Sequence, residues 1–181
     1  MLPDRENEII ALVTYIHHKV GFRDPPFSFL DFCTAFPNYE FQTAELPRGF
    51  NGEILIKGPH RIVRYRAGSK PNTNRFSIGH EIGHGFLHED EEFQCKVSTS
   101  FSLFKKPAGS AKEWEADFFS SELLMPMPVL NRMVGELESM SAAEARKETA
   151  RQADVFGVTF STMRTRLEDL KRMREWEGEF L

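Results

Sequence analysis

Two histidines four residues apart are the feature of this sequence that points most directly to chemistry. His80 and His84 stand in the pattern His-Glu-x-x-His, inside an apolar stretch from 76 to 87 whose periodicity predicts a helix. Residues four apart share one face of a helix, so both imidazoles can bind one metal ion. Glu81 can then act as general base on a water that the metal activates. The pattern predicts metal-assisted hydrolysis of an amide bond, the reaction of a zinc-dependent peptidase.

The alternative for this segment is an ordinary amphipathic helix with histidines on its surface. Two glycines argue against it, because Gly83 and Gly85 fall in the middle of the predicted helix. Each glycine costs a helix about 1 kcal/mol relative to alanine. A helix with such residues usually needs the close approach of another backbone or of a ligand. We therefore expect something to pack tightly against this helix.

A catalytic zinc site usually has three protein ligands and one position for water, so a third ligand must lie outside the motif. His88 continues the series of histidines by another four residues. Eight helical positions span about 12 Å, however, which is too far for His80 and His88 to reach one ion. We interpret His88 as a surface residue or as a residue that supports a ligand from behind.

A better candidate for the third ligand is Glu113, in a segment that predicts a second helix with Ser110 as its cap. Glu113 and Asp117 are four apart and share a face. One carboxylate can bind the metal while the other accepts the free N–H of a ligand histidine and fixes its tautomer. Glu115 points elsewhere and is the reserve candidate. The alternative for Glu113 is a capping box with Ser110, which has the required spacing.

Taken together, these blocks resemble the ImmA/IrrE-type metallopeptidases. That family shows an apolar H-E-x-G-H helix, then E-x-x-A-[ND]-x-F-A, then L-L-M-P. The chain has matching residues at 80–84, 113–119 and 123–126, with Ser120 where alanine is usual. The resemblance covers roughly residues 50–130 of the chain.

Carried over by position, the resemblance implies that His80, His84 and Glu113 bind Zn²⁺ and that Glu81 is the catalytic acid and base. It implies a small gluzincin-like peptidase of the bacterial cytoplasm. Such proteins are often encoded beside helix-turn-helix repressors, and some of them cleave these repressors. The expected substrate is therefore a protein, a helix-turn-helix repressor or an antitoxin. Manganese stays open as the working metal, although two histidines and a glutamate favour zinc.

Two hypotheses from other functional classes are alternatives to the peptidase. One is a DNA-binding regulator in which the metal site is not catalytic. The other is a metal-dependent protein that sequesters a repressor without cutting it. The sequence indicates neither the scissile bond nor the oligomeric state.

Composition narrows the class of protein. The 181 residues are 40% hydrophobic and 28% charged, as expected for a soluble globular chain with a core of its own. The net charge of -4 provides no global field that would attract nucleic acid. The chain has no apolar run of membrane-spanning length and no signal-peptide pattern, which predicts a cytoplasmic protein without membrane contact. Two cysteines without a C-x-x-C motif indicate free thiols in a reducing compartment.

The surrounding pattern predicts an α+β fold, with a small antiparallel sheet packed on the zinc-binding helix, additional helices and a helical C-terminal extension. Two helices are predicted before the sheet, at 4–20 and 28–36, and a loop at 68–74 leads to the metal helix. Three short strands are predicted at 41–46, 52–57 and 61–66.

Charges that fall on both faces of the strand at 61–66 suggest that it lies at an edge of the sheet. An edge strand beside a metal site can accept an extended peptide through backbone hydrogen bonds. We therefore predict that this strand is the platform for the substrate. Tyr65 is a candidate to contact the substrate and polarise its carbonyl, and plain packing is the alternative.

The C-terminal third predicts three helices, and residues 153–167 resemble a helix-turn-helix. From residue 141 onward the chain has eight basic and eight acidic residues, whereas phosphate contacts need a concentrated basic face. Packing or substrate docking is therefore preferred over direct DNA binding. We divide the chain into a metallopeptidase domain at 1–130 and a helical extension at 131–181, packed on the first.

Overall fold

Helices dominate the structure, a computed structural model that describes residues 3–88, 93–95 and 111–179. Its helices are α1 (Pro3–Val20), α2 (Phe29–Ala35), α3 (Pro71–Leu87), α4 (Ala111–Leu124), α5 (Met127–Glu138), α6 (Ala142–Phe156) and α7 (Phe160–Glu179). Its strands are β1 (Tyr39–Ala44), β2 (Gly52–Lys57), β3 (His60–Arg66) and β4 (Phe93–Cys95). The predicted α+β class is confirmed.

The sheet is mixed rather than wholly antiparallel as predicted. Its strand order is β1-β3-β2-β4. Strand β2 pairs antiparallel with β3 and β4, whereas β1 pairs parallel with β3. After β1, the link at 45–51 leaves room for one strand before β2 begins. The β2–β3 hairpin then places β3 in that gap, between β1 and β2, where it runs parallel to β1. The prediction that β3 is an edge strand is therefore wrong.

The arginines of β3 explain how a charged strand can lie inside the sheet. Arg64 donates a hydrogen bond to Glu53, its cross-strand neighbour on β2. Arg66 donates to the carbonyl of Pro47 at 2.6 Å and to that of Phe50 at 2.9 Å. The long stems of these side chains cover the sheet while their charged ends are bonded. Charged residues in a strand therefore do not by themselves indicate solvent exposure, because acceptors from other parts of the chain can satisfy them.

Helix α3 begins earlier than predicted. A loop was expected up to Asn74 and a helix from Phe76, but the helix runs from Pro71. Proline fits the first turn, because its missing N–H would have no helical partner there and its φ is already suitable. The N–H groups of Thr73 and Asn74 bond to the carbonyl of Lys70 at 3.0 and 3.2 Å.

The starts of three helices show how they are capped. Ser28, predicted as the first residue of a helix, is instead the cap of α2, with its hydroxyl accepting a backbone N–H at 3.1 Å. Ser141 and Glu144 form the full capping box at the start of α6. Asp4, where the first helix is predicted to begin, lies inside the first turn of α1. The predicted cap at Ser110 lies outside the described residues.

Helix α3 occupies the centre of the fold, between the sheet and α4. It packs against β2 and β3 on one side and against α4 on the other. All ten residues from 76 to 85 are buried. A helix that is buried on every side belongs to the core, so any polar side chain in this stretch is held away from bulk water.

Small residues bring α3 and α4 close together. A Cβ on Gly83 would lie 3.2 Å from the Cα of Ala116, and a Cβ on Gly79 would lie 2.6 Å from the hydroxyl of Ser120. That hydroxyl donates to the carbonyl of Phe76 at 2.9 Å. The close approach expected from the mid-helix glycines is therefore present, and it places the side chains of the two helices face to face.

The C-terminal helices are joined to α4 by a buried ion pair. Arg166 of α7 donates to Glu122 of α4, and both side chains are 3% exposed. The same guanidinium donates to the carbonyl of Met125 at 3.3 Å. This contact ties α7 to α4, the helix that carries Glu113, while the predicted domain boundary at residue 130 stays a prediction.

Candidate metal centre

Three potential metal ligands meet where α3 faces α4. Nε2 of His80 lies 3.0 Å from Nε2 of His84. The carboxylate oxygens of Glu113 lie 3.5 Å from His80 Nε2 and 3.4 Å from His84 Nε2. Within the described part of the chain, these residues are the group of three whose ligand atoms all lie within 4.8 Å of one another. The structure thus brings together the three residues that the sequence predicted as ligands.

These spacings fit a single divalent ion. Ligand atoms at about 2.0–2.2 Å from zinc, at tetrahedral angles, lie roughly 3.3–3.5 Å from one another. The three separations of 3.0, 3.4 and 3.5 Å are close to this arrangement. Two imidazole nitrogens and one carboxylate are also a known ligand set of catalytic zinc sites. The residues present therefore suit the ion that the donor chemistry implies.

The far nitrogen of His80 is held by the acid that the sequence singled out. Nδ1 of His80 lies 2.8 Å from Oδ1 of Asp117. A carboxylate can only accept there, so it keeps the proton on Nδ1 and leaves the lone pair of Nε2 for a cation. Glu113 and Asp117 lie one turn apart on α4, which is why one can face the metal position and the other the back of the imidazole.

The far nitrogen of His84 is held by another histidine. Nδ1 of His84 lies 2.9 Å from Nδ1 of His88, and Nε2 of His88 lies 3.2 Å from the carboxylate of Glu115. His88 is 9% exposed. Of the two interpretations open at the sequence level, the structure places His88 behind a candidate ligand rather than on the surface.

The electrostatics of the site suit a cation. Burial lowers the pKa of His84 to about 4, which leaves its imidazole neutral at neutral pH. The neighbouring imidazoles of His80 and then His84 hold the pKa of Glu113 well below its usual range, despite its partial burial. A neutral imidazole and an ionised carboxylate are the forms in which these groups bind metal.

Glu81 projects from α3 toward β2, a strand against which this helix packs. Its side chain is fully buried. The carboxylate packs against Gly52 at the start of β2, where a Cβ would lie 2.5 Å from Oε1. Glu81 directly follows His80 on α3, so the helix that carries two candidate ligands also carries a fully buried carboxylate.

Gly52→Ala is expected to lower peptidase activity while the metal stays bound. The new methyl group would displace the carboxylate of Glu81, and misplacing a catalytic group by about 1 Å can cost about 100-fold in rate. Zinc content and kcat/KM of the purified variant test this expectation. Gly58→Ala is the matched control, because it strains the same hairpin at a φ of 60° without meeting another side chain. Equal losses in both variants would contradict a specific contact with Glu81.

Tyr65 lies on β3 directly opposite Gly52. Val63, two residues before Tyr65 on the same strand, is fully buried on the face that α3 covers. Alternation along a strand puts Tyr65 on that face too, where its partly buried ring packs against the core. Packing is thus what the structure shows for Tyr65, and a substrate contact stays a prediction. Since β3 is paired on both sides, it cannot serve as the predicted platform for an added peptide strand.

Two contacts of the site were not anticipated from the sequence. Gly52 had a usable signal, because a glycine inside a strand often marks the close approach of another group. Arg5 had none, since its hydrogen bond of 2.6 Å to Glu115 links residues 110 positions apart.

Comparison with known protein families identifies the family of this chain. A family model described as the IrrE N-terminal-like domain, a peptidase family, matches residues 42–168. That stretch begins within β1 and includes β2, β3, α3, α4 and every candidate site residue, whereas α1 and α2 precede it. A search of curated proteins found no match.

Proposed function

Since the chain belongs to the IrrE N-terminal-like peptidase family, we propose that it is a zinc-dependent endopeptidase that cleaves a protein. The expected substrate is a helix-turn-helix transcriptional repressor or an antitoxin. The observation that carries this proposal is the meeting of His80, His84 and Glu113, with the fully buried Glu81 as the next residue after His80. This constellation supplies three ligands and a general base, which are the parts that metal-assisted peptide hydrolysis needs.

In this proposal His80, His84 and Glu113 hold the zinc ion. When bound, zinc lowers the pKa of a water toward about 7 and polarises the carbonyl of the peptide. Glu81 accepts the proton of the attacking water and later delivers it to the leaving amide nitrogen. Asp117 orients the ring of His80 through Nδ1.

The C-terminal helices support a protein partner better than DNA. Arg166 is buried in its pair with Glu122 and cannot contact a phosphate. Arg164 lies 3.6 Å from Glu168, and Lys171 lies 4.0 Å from an acidic residue of α5. Among the side chains that the structure describes, basic groups of α7 are thus mixed with acids, whereas DNA binding needs a concentrated positive face.

The length and composition of the helices bear on contact with a membrane. None of the helices within the described ranges has both the length and the apolar character that a membrane span requires. We propose a cytoplasmic location, where the repressor substrates of such a peptidase would be found.

The direct test is incubation of the zinc-loaded protein with the repressor encoded by the neighbouring reading frame. Mass spectrometry of the intact partner should show two fragments whose masses add up to the partner plus one water. A partner that stays whole but co-elutes with the protein would instead indicate sequestration. A shift of operator DNA by the protein alone would indicate a DNA-binding regulator. Parallel loading with manganese shows which ion supports the faster cleavage.

A further inference from the structure

A line of four polar side chains runs from the candidate metal centre to the N-terminal helix. It starts at His84 and passes through His88 and Glu115 to Arg5. The successive separations are 2.9 Å, 3.2 Å and 2.6 Å between hydrogen-bonding atoms. The line crosses three elements, because its two histidines lie at the end of α3, its acid on α4 and its arginine on α1.

The protons of this line can be placed from its chemistry. If His84 offers the lone pair of Nε2 to a metal, its only proton sits on Nδ1 and is donated to Nδ1 of His88. A neutral His88 that accepts at Nδ1 must have its own proton on Nε2, which faces Glu115. The carboxylate of Glu115 can only accept, and it receives hydrogen bonds from both His88 and Arg5. Each imidazole N–H of the line then has an acceptor, and the tautomer of each ring is fixed.

The two candidate ligand histidines are therefore supported in different ways. His80 is held in a single step by Asp117, from the same helix that bears Glu113. His84 is held through the imidazole of His88, which in turn bonds to Glu115. The negative charge of that carboxylate is balanced by an arginine of α1. The side chain of Glu115 is 17% exposed, so its bonds to His88 and Arg5 are partly shielded from water.

The last member of the line lies outside the part of the chain that the family match covers. The match spans residues 42–168, whereas Arg5 belongs to α1 at Pro3–Val20. Helix α1 also packs along α4, the helix that presents Glu113 and Glu115. The N-terminal helix is thus placed to influence a site to which it contributes no ligand.

We propose that His88, Glu115 and Arg5 form a positioning relay that fixes the tautomer and orientation of His84, so that helix α1 contributes to metal affinity. The proposal rests on the proposed function in one respect, namely that His84 binds the metal. None of the three residues is a catalytic residue, because each acts through His84.

Zinc affinity of the purified protein, measured by competition with a chromophoric chelator, tests the relay. His88→Leu removes the acceptor behind His84, and loss of such a support typically weakens metal binding by about 10- to 100-fold. His88→Gln should restore most of the affinity, because its amide can accept from His84 and donate to Glu115. Arg5→Gln should weaken binding by a smaller factor of about 3 to 10, since it leaves the two histidines paired.

Glu8→Gln is the matched control for Arg5. Glu8 also pairs with Arg5, at 2.9 Å, but its side chain is 63% exposed and it does not touch the relay. Exposed pairs of this kind contribute little, so zinc affinity should change by less than about twofold. Equal effects of Glu8→Gln and Arg5→Gln would overturn the part of the proposal that concerns α1.

A second readout separates positioning from general stability. Long-range ¹H–¹⁵N spectra of the imidazoles should show His84 protonated at Nδ1 and His88 at Nε2, and this pattern should be lost for His84 in His88→Leu. Wild-type zinc affinity in His88→Leu would overturn the relay. So would a loss of affinity that merely follows a loss of thermal stability in the metal-free protein. Neither measurement needs a substrate, so a protein that binds zinc through the relay but cuts nothing would refute the proposed function alone.

Discussion

Glu81→Gln is expected to abolish cleavage while zinc remains bound. Glutamine has nearly the same shape, so the contact with Gly52 and the fully buried packing of the side chain are preserved. Its amide cannot take a proton from water, and loss of a general base costs about 100- to 10,000-fold in rate. The ligand set is untouched, so the metal content should equal that of the wild type. Product formation by mass spectrometry and zinc by atomic absorption check both halves of this expectation.

Glu40→Gln is a suitable control for this variant. It makes the same chemical change at an exposed position on β1 and should leave the rate and the metal content unaltered. Full biological effect with Glu81→Gln would point instead to a regulator whose metal site is not catalytic. A loss of zinc from this variant would show that Glu81 is itself a ligand.

His80→Ala is expected to lose both the metal and the activity. The substitution removes one of three ligands and leaves the carboxylate of Asp117 without the imidazole that it orients. Zinc affinity should fall by more than the roughly 10- to 100-fold typical of residues that only support a ligand. Equilibrium dialysis against buffered zinc measures the affinity, and the cleavage assay follows the activity.

Comparing zinc content and cleavage rate between Glu81→Gln and His80→Ala separates loss of metal binding from loss of the general base. His18→Ala provides the control, because His18 is an exposed histidine of α1. It should keep the zinc and the activity of the wild type. Stoichiometric zinc in His80→Ala would show that the ligand set assigned to α3 and α4 is wrong.

The chemistry-bearing residues could be found from the sequence because they follow helical periodicity. His80 and His84 had to share a face once their segment was helical, and the same holds for Glu113 and Asp117. What sequence reasoning could not supply was the distance between the two helices. That distance depends on small residues packing across the interface, such as Gly83 against Ala116.

The sheet was harder to predict, because strand order depends on the path of the chain and not on local pattern. The three strands that precede α3 were recognised, although β1 lies at Tyr39–Ala44 and not at 41–46. The insertion of β3 between β1 and β2 turned a predicted edge into a central strand. The decisive signals were acceptors such as Glu53 and the carbonyl of Phe50, which only the folded chain brings to the arginines.

The ion pair between Glu122 and Arg166 has a consequence for how the protein is made. Removing one partner of a buried pair costs about 3–5 kcal/mol, a large part of the roughly 5–15 kcal/mol that holds a typical domain together. While a ribosome has not yet reached residue 166, the charge of Glu122 has no arginine to meet it. Helix α4 is then poorly held, and Glu113 with it. A nascent chain should therefore acquire zinc only late in translation, once α7 has emerged.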